Sequence, residues 1–536
     1  MAIGTPSESP AIVVKEVDLS GVVPNVQSTT GAFGGSFKWG PVEEATLIQN
    51  EKSLADTFGS PSDSYAADFL SASYFLKYSN QLQVSRAADA SARNACDSSA
   101  AAVLIKNNTD YEQGTYSTGK IFAKYPGLLG NSLKVEWAGA VNFAGKSASF
   151  KAEFDKAPTG NERHVLVLDQ DGVITGTAGE VLERYPFVSG LSTATNADGS
   201  SNYFKEVINR ASNWVRINSH ALADSAGNIS LVGGLDGSTV GTDDLFRAFD
   251  QFEDKDTIEL DFLIAPMSLA SGTNATVVND LIATAASRKD CVVVASPAKN
   301  SIVGNATPTA SAVTDLDAVT FSSYAVCDNN YLKVYDKFND KFIHIPAASS
   351  TAGIMAASDA NAAPWFSPAG PRRGAYLGVT SLAYTPPKSE RDTLYKASIN
   401  PIANLPGQGV LLFGDKTHMN RPSAFDRINV RRLFNVIERA IALAARNTLF
   451  ELNDEFTRAE FVNIVEPFLR EVKGRRGITD FRVVCDATNN TAAVIDRNEF
   501  VANVFIKPAR SINYITLNFV AVRSGVDFEE VAGLSV

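Results

Sequence analysis

Residues 404–417 read NLPGQGVLLFGDKT. Gly409, then Gly414 after four residues, then Asp415-Lys416-Thr417 come close to the nucleotide-binding loop G-x-x-x-x-G-K-[ST]. The reading of this stretch decides between an α/β nucleotide-driven motor and something else. A phosphate cradle needs loop residues between its glycines, so that backbone N–H groups wrap the anion at a helix N-terminus. Here those residues are Val410, Leu411, Leu412 and Phe413, an apolar block with the composition of a buried strand. Asp415 also precedes Lys416, which shifts the lysine by one position and sets a carboxylate against the phosphates. The stretch is predicted to be a strand between glycine turns, with no nucleotide bound and no cofactor used.

The surrounding 536 residues allow three or four domains at roughly 150 residues each. Hydrophobic residues at 45% and charged residues at 20% suit a globular core. The net charge of −11 argues against a general nucleic-acid binder. Cys96, Cys291, Cys327 and Cys485 form no C-x-x-C pair and read as buried reduced thiols rather than disulfides or metal ligands. The start, MAIGTPSESP, lacks the basic and apolar segments of a signal peptide. No apolar run approaches the roughly 20 residues of a membrane span. A protein made and working in cytosol-like solvent, without membrane insertion, is expected.

Catalytic chemistry finds little support. The histidines His164, His220, His344 and His418 stand singly, so no zinc cluster is expected. His344, between apolar residues in FIHIP, reads as structural. Asp169 and Asp171 do not complete a calcium loop. No G-x-S-x-G elbow occurs, and a glycosidase carboxylate pair is unsupported. No catalytic, cofactor-binding or metal residues are assigned.

The chain is mixed α+β and α/β. AIVVKEVDLSGVV (11–23) reads as a strand outside any core, and such a strand invites pairing with another chain. GGSFKWGP (34–41) reads as a loop. DSYAADFLSASYFLKYS (63–79) reads as a helix on Ala67, Leu70, Tyr74 and Leu76, and LQVSRAAD (82–89) as a strand. Residues 101–229 alternate apolar and polar positions between Gly, Asp and Asn turns, which predicts a β-rich insertion with a hairpin turn at Asp171-Gly172. LDFLIAPM, then an amphipathic helix with Asn274 or Thr276 near its cap, then CVVVASPAKN predict a parallel βαβ unit. Residues 302–318, rich in Ala, Thr and Ser, read as an exposed loop. A long amphipathic helix is expected at 423–447, with Ile428, Leu433, Phe434, Ile437 and Ile441 on its apolar side. Arg427, Arg431, Arg432, Arg439 and Arg446 would form its basic side, read as a solvated face or a surface for an acidic partner. Thr457 and Glu460 match a capping box opening a second helix, kinked at Pro467 and ended by Gly474. Strands follow at FRVVCD, EFVANVFIKP and INYITLNFVAV, and the tail SGVDFEEVAGLSV is again strand-like.

Several stretches together resemble one family. SPAIVVKEVD (9–18), YPGLLGNSLKVE (125–136), LVGGLDG (231–237), IPAASSTAGIMAASDANAAPWFSPAGPRRG (345–374) and INPIANLPGQGVLLFGDKT (399–417) are similar, in order and across nearly the whole chain, to the tail sheath proteins of contractile-tailed bacteriophages, most nearly those of T-even-like myoviruses. The resemblance implies a discontinuous sheath core, parted as an arm 1–24, core 25–100, a protruding insert 101–229, a middle domain 230–385, an inner domain 386–522 facing the tube, and an arm 523–536. It implies stacked rings around a tail tube, built from the baseplate, closed by terminator or neck proteins, and contracting without nucleotide to drive the tube through the host envelope. The particle is the virion tail, assembled in host cytoplasm. Ile12, Val14, Val17, Val526 and Phe528 become candidates for strand exchange between subunits, and Arg427, Arg431, Arg432 and Arg439 for pairing with tube carboxylates. A sheath of another contractile injection system is the neighbouring reading, and a nucleotide-hydrolysing enzyme the distant one.

Overall fold

A computed structural model describes residues 29–218, 227–266 and 272–513. Both expected arms lie outside the described residues, as does most of INYITLNFVAV.

Strand Gly31–Ser36 is the keystone of the fold. It pairs in parallel with Leu82–Ala87 on one side and with Phe262–Ile264 on the other, so Gly31 lies opposite both Leu82 and Phe262. The sheet continues in parallel through Val292–Ala295 to Ala325–Cys327 and closes at its other edge with antiparallel Thr46–Ile48. Two parts of the chain separated by the β-rich segment thus share one six-stranded sheet. The expected βαβ unit is present, with helix Thr273–Arg288 between its strands.

The expectation of a loop at 34–41 fails for its first three residues, which lie inside this strand. The glycines serve packing. A Cβ on Gly31 would stand 2.7 Å from the Phe75 ring, and one on Gly34 would stand 2.8 Å from Phe249. Phe75 ends helix Ala66–Phe75 and Phe249 belongs to helix Thr242–Asp250. Two aromatic side chains therefore press on the bare strand, an approach only glycine permits. Helix Ala66–Phe75 is buried on nearly every side, as a helix apolar all round should be.

Two further readings need correction. Within 302–318, residues Pro308–Asp317 form a helix with proline in its first turn, a position that costs no hydrogen bond. Its buried side is built from Thr309, Ala312 and Leu316, too small a stripe to stand out as a period. The second helix of the C-terminal region runs Glu455–Gly474 and starts a turn before the expected box. Asp454 is its cap, accepting from Thr457 N at 2.8 Å.

The β-rich segment folds around its own core. Four antiparallel strands run in the order Glu180–Ser189, Glu162–Asp169, Leu133–Gly139, Gly227–Ser230. Val135, Trp137, Val165, Val167, Phe204 and Ile208 fill its interior, with Trp39 of the sheet domain at its root. No residue of the long helix joins this cluster. Asp171-Gly172 does lie between two paired strands, in a connection spanning 170–179 rather than a two-residue turn. The Asp169 carboxylate organises that loop, accepting from Ile174 N at 2.9 Å and Thr175 N at 2.7 Å.

Candidate assembly surfaces

The near-P-loop resolves first. Ile402–Leu405 and Gly409–Leu412 are an antiparallel hairpin, turned at Gly407 and Gly409, both at positive φ. Leu411 and Leu412 are buried, so the apolar block is a strand, as its composition requires. Asp415, the residue that spoils the motif, is a hub. Its Oδ1 accepts from Arg427 Nη1 at 2.8 Å and Asn513 Nδ2 at 3.0 Å; its Oδ2 accepts from Ser511 Oγ at 2.7 Å. Burial pushes the Asp415 carboxyl up, but these hydrogen bonds and the Arg427 charge outweigh it and hold the group below the usual carboxylate range. Lys416 is already engaged: Nζ donates to the Tyr395 carbonyl at 2.6 Å and lies over the Tyr395 ring. A cleft of about 1060 Å³ opens beside this hub, with Arg372, Arg391, Phe413 and Arg510 among its walls.

The long helix is Ile428–Ala445, and its arginines do not form a solvated face. The side chains of Arg427, Arg431, Arg432 and Arg439 are 21%, 5%, 5% and 9% exposed. Arg432 clasps Asp359 with its Nη1 donating to Oδ1 at 2.6 Å, and its guanidinium lies over the Phe262 ring. Arg439 reaches Asp261 and the Leu260 carbonyl, at 2.8 and 2.7 Å. Arg431 stacks on Tyr324 and Phe425 and donates to Asn435. The expected basic side is therefore a set of internal braces tying the helix to the sheet domain. Only Arg446, paired with Asp256, is solvated. The opposite stripe, Leu433 and Ile437, packs with Phe461, Val465 and Leu469 of the second helix.

Two surfaces stand out. Strands Ile478–Val484 and Asn503–Pro508 form a two-stranded antiparallel ribbon. Phe481, Val483, Val504 and Ile506 lean on the second helix, while Phe505 is exposed. Among the described residues nothing else pairs with either strand, so each outer edge offers unpaired backbone groups. The second surface is the connection between the two helices together with the first turn of the second. Leu449, Phe450, Leu452 and Phe456 are 63%, 105%, 76% and 77% exposed. This tip was not anticipated from the sequence. Its signal was present, as four large apolar residues among eight with no helical period to bury them.

Chemistry is sparse here too. Among the described residues no three metal-binding side chains cluster. All four cysteines are free and buried. No described helix is long and apolar enough to cross a membrane. Ile12, Val14, Val17, Val526 and Phe528 lie outside the described residues.

A sheet domain with a rooted insert, internal ionic braces, an open-edged ribbon and an apolar tip define a structural subunit built to join other chains. Residues 238–418 match the phage tail sheath protein central domain, and 420–521 the phage tail sheath C-terminal domain. The chain is 31% identical to the tail sheath protein of Enterobacteria phage T4, over 98% of this chain and 99% of that one. It is equally identical, with the same coverage, to the tail sheath protein of Vibrio phage KVP40. Among solved structures, the sheath tail protein of Listeria innocua aligns with a TM-score of 0.59 at 14% identity, covering 91% of this chain and 93% of that one. The helical sheath of the anti-feeding prophage in its contracted state aligns with a TM-score of 0.55 at 13% identity, covering 96% and 99%. The chain belongs to the tail sheath family of bacteriophages, and it is a structural subunit of a contractile tail sheath. The relatives are structural sheath proteins.

Proposed function

We propose that copies of this chain stack as rings around a tail tube and are stitched to one another by their terminal arms. The observation that carries this is the ribbon Ile478–Val484/Asn503–Pro508, whose two edges have no strand partner among the described residues. Strand addition from another copy satisfies such edges. Arm 1–24 supplies Ile12, Val14 and Val17; arm 523–536 supplies Val526 and Phe528. An arm making a handful of backbone hydrogen bonds at about 0.5–1.5 kcal/mol each is a link that a moving mesh can keep. The insert 101–229 points away from the tube and the domain 386–522 toward it, with the apolar tip 449–456 as contact in place of the internally paired arginines. Assembly starts from a baseplate in host cytoplasm, ends at terminator or neck proteins, and leaves the sheath on the virion tail. Contraction then releases conformational free energy stored in the extended state, without nucleotide.

Deleting 1–24, or 524–536, tests the stitching. Each truncated subunit should keep the circular dichroism and melting temperature of the full chain and yet form no long tubes by negative-stain microscopy. Full-length tubes from either truncation would end the exchange reading, and unfolding of the subunit would assign that arm to its own core.

A further inference from the structure

Arg86 belongs to the strand Leu82–Ala87 of the central sheet, and its side chain runs to one wall of a second cavity. The residue is 2% exposed. Within the described chain its guanidinium makes one hydrogen bond, from Nη1 to the Gly40 carbonyl at 3.0 Å, and Nε has no partner. Among the described residues no carboxylate forms an ion pair with it. Three other buried arginines have an acid: Arg288 has Asp290, Arg432 has Asp359 and Arg439 has Asp261. Arg216, equally buried, shares the lack of an acid and leaves Nε and Nη2 without a partner, but it lies on the Tyr111 ring and donates to Asn108.

The cavity holds about 550 Å³ and is lined by Ser36, Tyr65, Arg86, Asp236, Ser238 and Thr239. Asp236 is its nearby acid, and its Oδ1 is taken by Leu128 N at 2.7 Å. Gly127, at φ +141, leaves open the position where a Cβ would stand 3.0 Å from Asp236 Oδ1 and 3.6 Å from Arg86 Nη2. A bare glycine thus keeps room between the acid and the guanidinium. Burial lowers the Arg86 pKa to about 10 despite the nearby Tyr65 and Asp236.

A buried guanidinium without a counter-charge destabilises a chain, commonly by several kcal/mol, and an apolar side chain of similar volume serves a core better. The free edge here is Nε with Nη2, the fork that matches a planar carboxylate with two parallel hydrogen bonds. We propose that this cavity is a carboxylate-binding site, filled on assembly by an Asp or Glu side chain of a second copy of the chain. The acidic composition of the chain, with 59 Asp and Glu against 48 Lys and Arg, supplies the ligand chemistry. The proposal rests on the self-assembly reading above.

Arg86→Met separates this role from internal bracing, because the two predict opposite signs. If the charge waits for a partner, R86M subunits should melt at or above the wild-type temperature. The fraction pelleting as tubes at equal protein concentration should nevertheless fall about tenfold or more. A lower melting temperature with normal tubes would make Arg86 an internal brace and overturn the proposal. R86K keeps the charge and offers a second readout should R86M not fold. Carbodiimide treatment of R86K tubes made from mixed isotope-labelled and unlabelled copies should link position 86 to an acidic residue of the other isotope. Links to Asp236 of the same chain alone would overturn it. So would sodium acetate that raises the melting temperature of wild-type subunits but not of R86M while leaving tubes unchanged, the signature of a free small carboxylate. Failure of the wild type itself to form tubes would instead fault the assembly reading.

Discussion

Two adjacent stretches of the C-terminal region handle charge and apolar surface in opposite ways. Helix Ile428–Ala445 turns three arginines inward, with Arg427 just before it a fourth, each against a partner, and its two stripes join the sheet domain to the second helix. The connection that follows, with the first turn of the second helix, turns Leu449, Phe450, Leu452 and Phe456 outward, largely uncovered by the described residues. The helix spends its cations on internal geometry, where a fork-shaped guanidinium fixes orientation as well as energy. The connection leaves apolar area free, and exposed apolar patches mark places where another molecule docks. Rigidity and contact are thus assigned to neighbouring segments, an arrangement suited to a subunit that must move as a body while holding a partner.

The largest effect expected from this contrast is at Arg432. Asp359 is 2% exposed at its side chain, so Arg432→Ala takes the guanidinium away from a buried carboxylate. Breaking such a pair from one side costs about 3–5 kcal/mol. Urea unfolding should show a loss of that size, and the double change Arg432→Met/Asp359→Leu should recover most of it. The exposed pair Arg446–Asp256 is the control, where Arg446→Ala should cost under about 1 kcal/mol. Equal costs at both sites would remove the distinction between brace and surface pair.

A smaller, pH-dependent effect should come from a carboxyl that the core buries without an arginine. Asp328 accepts from Ser296 Oγ at 2.8 Å and Thr351 Oγ1 at 3.2 Å, and burial pushes it up to about 7 in spite of them. Its folded pKa lies above the unfolded value of about 3.8. The folded chain therefore holds a proton that the unfolded chain releases, and the stability this group contributes is full below about pH 4 and lost as pH rises toward 7. Asp328→Asn should cancel that slope. The difference in melting temperature between variant and wild type should shift in favour of the variant from pH 4 to 7 and level off above. A difference that does not vary with pH would mean that Asp328 stays ionised, despite lacking the cation that Asp359 has.

What could be read from composition follows the range of the interactions involved. The strand at 409–412 was legible, because a local apolar block between glycines carries its own signal. The βαβ unit and the β-rich insert were legible through periodicity. The fate of the arginines was not. Arg432 and Arg439 meet acids 73 and 178 residues away in the chain, and no helical period distinguishes a cation facing water from one facing a distant aspartate. Gly34 and Gly35 misled for the same reason, since their need for space is set by Phe249 and by Phe33 and Asp68, side chains placed there by packing. The helix at Pro308–Asp317 was hidden by side chains too small to mark a face.

The smallest effect on stability, and the sharpest test of the contrast, belongs to the tip. Phe450 and Phe456 are largely uncovered by the described residues, so Phe450→Ser/Phe456→Ser removes little that the folded subunit uses. Substitutions away from cores, caps and networks usually fall within about 0.5 kcal/mol, and the urea midpoint should stay there. The double variant should still form sheath-like tubes on its own, because neither residue belongs to the ribbon. It should differ in co-sedimentation with tail tubes. Two phenylalanines seated in a partner would each contribute about 1.5–3 kcal/mol by burial, so their loss at every subunit should release the sheath from the tube. A marked fall in stability would show that the tip packs within its own subunit. Unchanged binding to tubes with unchanged stability would leave the outward apolar surface to contacts between sheath subunits, which the length of tubes formed without a tail tube would then report.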